Sequence, residues 1–253
     1  MTANGEVYAW GSAENGKLGH GRSPKGLAPV EPKPRLVRSL EALRIGQVAA
    51  GHMHSAAVAS DGRALTWGNG RFRQLGLGPA TPDEVPTPTQ VEGAHSVAGV
   101  AAGGLHTLFA QHAGAVLSCG ADQNGVLGLG HGRRESVSRP ARIPGLASAV
   151  QVAAGWKHSA AVTSSGELFT WGWGGSQGSA YSIEAGGAGG QLGLGSEFDY
   201  WSPAAVESVV LPSGARLAQR QRGGERLAWK VLSVACGLNH TVAVLEVAAA
   251  DLT

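Results

Sequence analysis

Two cysteines, Cys119 and Cys236, are all that the 253 residues contain, and no C-x-x-C occurs. Both read as buried free thiols of a reducing, intracellular compartment, the cytoplasm or nucleus. Charge is sparse too. Charged residues make up 15% of the chain and the formal net charge is +2, too small a bias to argue for nucleic acid. No apolar run approaches the ~20 residues of a membrane-spanning helix. The opening MTANGEVYAWG leads directly into a strand-like pattern, so no signal or transit peptide is expected.

Reaction chemistry is also missing. There is no G-x-S-x-G, no H-E-x-x-H and no pair of carboxylates in a plausible cleft. The run GGAGGQLGLG, Gly186 to Gly195, lacks the Lys-Ser/Thr of a phosphate-binding loop and no helix pattern follows it. His52 and His54 make an H-x-H pair without an evident third ligand. No catalytic residue, cofactor or metal is therefore expected.

What the chain has in excess is glycine, 40 residues, and repetition. The stretch Val152 to Gly172, VAAGWKHSAAVTSSGELFTWG, reads as a hairpin with its turn at Ser164–Gly166. Val48 to Gly68 and Val100 to Gly120 repeat it. Val234 to Val244 repeats its first half, and Gly5 to Gly11, GEVYAWG, its second. Gly51, Gly103, Gly155 and Gly237 fall at spacings of 52, 52 and 82, and His54, His106, His158 and His240 keep the same spacings. A second marker keeps the phase: KLGHG from Lys17, QLGLG from Gln74, VLGLG from Val126 and QLGLG from Gln191. Glycines at fixed repeat positions are turns, not a disordered tract.

A unit of about 52 residues with several short strands fits the blade of a β-propeller, so the fold class is all-β. The chain divides into four units, 5–61, 62–113, 114–165 and 166–247, within one domain, 1–253. The last is lengthened by insertions at 174–190 and 211–229. The first insertion is Gly/Ser-rich and expected to be a mobile loop. Pro-rich stretches, including Pro32 and Pro34, read as exposed connections. The split hairpin suggests closure, with Glu6 to Trp10 beside Thr241 to Leu245.

The pattern G-x-x-H-[ST], a turn, a strand ending in WG, then x-LG-x-G resembles the repeats of the regulator of chromosome condensation family, over roughly residues 5 to 247. The resemblance implies a seven-bladed propeller. This chain has four units: a four-bladed ring, part of a larger propeller, or an open arc completed by a partner.

A histidine in every unit is structural, expected to be half-buried and hydrogen-bonded to loop backbone. Trp10, Trp67 and Trp171 share one repeat position with Cys119 and read as packing between blades. Plant ultraviolet-B photoreceptors of the family carry repeated GW[RK]H motifs; here only Trp156-Lys157 matches.

The expected function is a non-catalytic scaffold that presents loops to a protein partner or a multi-subunit assembly. The candidate contacts are Tyr200, Trp201, Arg216, Arg220, Arg222 and Arg226, since arginine and aromatics dominate interface energetics. The resemblance also implies a guanine nucleotide exchange factor for a small GTPase, although no stretch matches the protruding wedge of the founding member. Chromatin or nucleic-acid binding would rest on basic loops (Arg22, Arg133, Arg134), which Asp83, Glu84 and Glu135 dilute.

Overall fold

A computed structural model describes residues 1–22, 30–130, 136–175, 189–219 and 227–248. Strand β1 (Tyr8–Ser12) pairs antiparallel with β2 (Val30–Leu36). Three four-stranded antiparallel sheets follow, each in simple sequence order. The first holds β3 (Ile45–Ala50), β4 (His54–Ala59), β5 (Ala64–Asn69) and β6 (Glu84–Gln90). The second holds β7 (Val97–Ala102), β8 (His106–Gln111), β9 (Val116–Gly120) and β10 (Val137–Arg142). The third holds β11 (Ala149–Ala154), β12 (His158–Thr163), β13 (Leu168–Gly172) and β14 (Tyr200–Ala205). A short hairpin of β15 (Ser208–Val210) and β16 (Arg216–Ala218) precedes the last pair, β17 (Trp229–Cys236) and β18 (Thr241–Val247).

The sheets are blades, and they are out of phase with the repeat units. Each unit opens with the second pair of strands of one blade and closes with the first pair of the next. The β1–β2 pair is thus the second half of a blade, and β17–β18 the first half of one. Among the described residues no ladder joins β1 to β18. The closure suggested by the split hairpin is not made within one chain.

The middle strands are buried on both faces because blades stack face to face. Every residue of β5, β9 and β12 is buried. Alternation fades there, and small and apolar residues (HSAAV, HTLFA) fill both sides. The apolar clusters lie between neighbouring sheets: Val58 and Val91 with Val100 and Phe109 in one, Leu108 and Ile143 with Val152 and Trp171 in the next. Burying a side chain of this size contributes about 1.5–3 kcal/mol.

The Pro-rich stretches are strands rather than connections. Pro32 and Pro34 lie in β2, Pro86 and Pro88 in β6, Pro140 in β10 and Pro203 in β14. Each of these is the last strand of its blade, and proline is tolerated on an edge where the missing N–H would face away from the ladder. The P-x-P spacing keeps both prolines on that outward side.

Glutamine side chains also join neighbouring blades. Gln47 Oε1 accepts the amide of Val100 at 2.8 Å, and Gln151 Oε1 accepts that of Val234 at 3.2 Å. Each reaches from the first strand of one blade to the first strand of the next.

Candidate functional site

The repeat residues converge on the joints between blades. His54 Nε2 lies 2.8 Å from Thr107 Oγ1, His106 Nε2 3.0 Å from Ser159 Oγ, and His158 Nε2 3.1 Å from Thr241 Oγ1. Each hydroxyl in turn donates to a backbone carbonyl: Thr107 to Gln74, Ser159 to Val126, Thr241 to Gln191. With the hydroxyl proton so committed, the imidazole must donate through Nε2–H. Nδ1 is left bare, and in all three rings it is buried without a partner. Protonation there would place an uncompensated charge in the interior, so burial holds the pKa of His54 at about 4, His106 at about 3 and His158 at about 4. The rings are fully buried and bind the hydroxyl of the following blade. For these three the expectation of a half-buried ring on loop backbone is corrected on both points, and the fourth, His240, is exposed.

The accepting carbonyls belong to the first residue of each x-LG-x-G marker. The same carbonyl takes a second donor from the next blade: Trp67 Nε1 to Lys17 O at 2.8 Å, Cys119 Sγ to Gln74 O at 3.6 Å, and Trp171 Nε1 to Val126 O at 2.9 Å. The leucine is core. The first glycine lies under the ring: a Cβ on Gly128, whose φ is +70°, would stand 2.8 Å from Trp171 Nε1. The last glycine donates its amide to the outermost strand of the next blade: Gly21 to Pro86 O, Gly78 to Ser138 O, and Gly130 to Trp201 O. The first position varies (Lys, Gln, Val, Gln) because the joint uses its carbonyl; the two glutamines add local side-chain bonds, Gln74 Nε2 to Asn69 Oδ1 and Gln191 Nε2 to Trp173 O.

His52 and His54 do not share a strand. His54 opens β4 and enters the joint, whereas His52 stands edge-on to Trp156, ring centroids 4.4 Å apart. Lys157 Nζ lies 5.7 Å from the ring centre of Trp173. The residues equivalent to Trp156 in the other units are His52, Gly104 and Leu238, so no second indole sits at that position. Among the described residues no group of three His, Cys, Asp or Glu is placed to hold a metal. Cys119 is buried and Cys236 half-buried; neither forms a disulfide, and burial pushes both thiols up to about 12.

Of the candidate contact residues, Tyr200 and Arg216 line one groove of about 800 Å3 with Glu197, Glu207, Leu194 and Ser208. Tyr200 reaches it from β14 with its hydroxyl 3.3 Å from Ser196 Oγ, and Arg216 from β16. Trp201 is elsewhere. It packs over Gly125 of the preceding blade, where a Cβ would come within 2.6 Å of Trp201 Cα. Arg220, Arg222 and Arg226, like Arg133 and Arg134 and most of the first insertion, lie outside the described residues.

Stacked four-stranded blades joined by a repeated histidine–hydroxyl–carbonyl staple define a β-propeller repeat protein. Residues 1–244 match the RCC1-like domain, and the chain belongs to that family. It is 35% identical to the ultraviolet-B receptor UVR8 of Arabidopsis thaliana over 97% of its own length and 48% of that protein's. It is 36% identical to the human E3 ubiquitin-protein ligase HERC2 over 68% of its length and 4% of that protein's. The chain thus spans about half or less of the curated relatives it matches. Human WBSCR16 superimposes on 98% of the chain with a TM-score of 0.73 and 27% identity, using 55% of its own length. Prp20p of Saccharomyces cerevisiae superimposes with a TM-score of 0.71 and 23% identity, which shows the fold alone. No helix among the described residues is long and apolar enough to cross a membrane.

Proposed function

We propose that this chain is a non-catalytic protein-interaction scaffold and that the groove holding Tyr200 and Arg216 is its recognition surface. The observation that carries the reading is the groove itself. It joins an aromatic ring, a guanidinium and two carboxylates, Glu197 and Glu207, on elements anchored to a rigid blade. Such a lining suits a partner surface of mixed charge. It does not suit a phosphate backbone, which the two carboxylates would repel. Membership in a family whose members are interaction scaffolds or exchange factors supports the same class. The first of these roles needs no reacting group.

The test is affinity capture from the source cell with the chain and with Arg216→Glu and Tyr200→Ala. A partner retained by the parent chain and lost at least tenfold by both variants, with unchanged melting temperature, is the expected outcome. Binding unaffected by both substitutions would move the recognition surface elsewhere.

The alternative implied by the family is nucleotide exchange on a small GTPase. Prp20p has been characterised for binding to Gsp1p and histones. Acceleration of labelled-nucleotide release from a GTPase by the purified chain would establish that reading in place of the scaffold.

A further inference from the structure

The joints between blades repeat their hydrogen bonds, and the joint between the second and third complete blades departs from its neighbours at several positions at once. Asn69, Ala121 and Trp173 are equivalent: their backbone amides donate to the carbonyls of Met53, Leu105 and Lys157. At the joint before, Asn69 is 3% exposed and its Oδ1 accepts Gln74 Nε2 at 3.3 Å. At the joint after, the indole of Trp173 takes that place, 5% exposed, and Gln191 Nε2 donates to its carbonyl at 2.8 Å. Between the second and third blades both members of the pair are small and apolar, Ala121 and Val126. The room they give up is a hollow of about 160 Å3, whose lining also includes Leu105, Gln123, Trp156 and Lys157.

Trp156 is a fixed wall of this hollow. Its ring packs on Gly104, where a built Cβ would lie 3.1 Å from Cε3, and it stands edge-on to His52. Lys157 brings a charge to the lining. Its ammonium faces the Trp173 ring and makes no ion pair among the described residues. The carboxylates of the adjoining loops are committed. Asp199 accepts the Asn124 side-chain amide at 2.8 Å and the Gly174 backbone amide at 3.1 Å, and Asp122 accepts the Leu127 amide at 3.4 Å. Size narrows the occupant. A cavity of about 150 Å3 holds one benzene ring, whereas pockets for whole small-molecule ligands run to about 300–1,000 Å3. The hollow fits one aromatic side chain carried by a larger molecule, and such anchors dominate protein interfaces.

We propose that this hollow takes an aromatic side chain from an acidic segment of a partner protein, with the partner's carboxylates meeting Lys157. Two observations set that chemistry. The equivalent place one joint further on is filled by an indole, against the same Lys157 ammonium. The cation itself, without a carboxylate of its own, favours a partner that supplies one. The proposal rests on the scaffold reading but not on the Tyr200 groove, with which the hollow shares no lining residue.

The probe is a fluorescein-labelled pentapeptide, a phenylalanine with two aspartates on either side, titrated with the 253-residue chain and followed by fluorescence anisotropy. Saturable binding is expected. It should weaken at least about tenfold when alanine replaces the phenylalanine, with Lys157→Glu, and with the double substitution Ala121→Asn and Val126→Gln. The double variant installs the pair that Asn69 and Gln74 already form one joint earlier, so its melting temperature should not fall. Absence of saturable binding would overturn the proposal. So would equal binding by the double variant, or by a peptide with lysines in place of the aspartates. Phenylacetate binding as tightly as the peptide would assign the hollow to a small aromatic acid instead, and a dimer of the chain that the double variant dissolves would assign it to a second copy; either result also overturns the proposal. The titration needs no cellular partner, so its failure and the failure of the capture test on the Tyr200 groove are read separately.

Discussion

At the scale of single residues the histidines set both stability and its pH dependence. Each of His54, His106 and His158 is neutral in the fold, with its pKa held at about 3 to 4 by burial, against 6.5 for an unburied ring. Above pH 6.5 both folded and unfolded states carry the neutral ring, and the three contribute no pH dependence. Between about pH 6.5 and pH 4 the unfolded chain binds protons that the folded chain does not, so stability falls as pH falls. The slope is roughly 1 kcal/mol per pH unit for each ring. Denaturant titrations at pH 7.5, 6 and 5 should show that loss, and His106→Gln should reduce it by about a third. His106→Ala should cost about 2–4 kcal/mol at pH 7.5, because it opens a cavity at a fully buried joint and strips Ser159 Oγ of its donor.

At the scale of elements, the five-residue marker and the outer strand are the units that matter. Gly128 and Gly145 have nearly the same backbone, φ +70° and +72°, but differ in surroundings. A Cβ at Gly145 would meet nothing within 4 Å, whereas one at Gly128 would press on the Trp171 indole. Gly145→Ala should therefore cost about 1 kcal/mol, the backbone penalty alone. Gly128→Ala should cost about 1–3 kcal/mol more by displacing the ring. Urea midpoints of the two variants check the difference. The outer strands carry their own lesson. Proline content argued for connections, and the sheets used those stretches as edges, because an edge strand needs only half its amides in the ladder.

At the scale of the whole molecule, three complete blades lie between two half-blades. The amides of β8 and β12, inside complete blades, should exchange with solvent more slowly than those of β1 and β18. Mass-spectrometric hydrogen exchange makes the comparison. Stability in stacked repeats comes from neighbour contacts. The middle blade should accordingly be the last to open.

The fold class, the repeat length and the positions of the structural residues were legible in the chain alone. Each joint reuses the same backbone geometry, and that geometry admits few side chains: glycine under a ring, histidine opposite a hydroxyl. Recurrence at one spacing exposes such constraints without coordinates. The partner of each histidine was not legible, because Thr107 and Ser159 lie 53 residues from the rings they meet. Nothing local marks a hydroxyl as the next blade's acceptor. The phase of the blades was hidden for the same reason: a unit boundary at a turn looks alike whether the next strand joins the old sheet or begins a new one. The groove that unites Tyr200 with Arg216 and excludes Trp201 comes from the path of the fourth blade, since adjacent residues on a strand point to opposite faces.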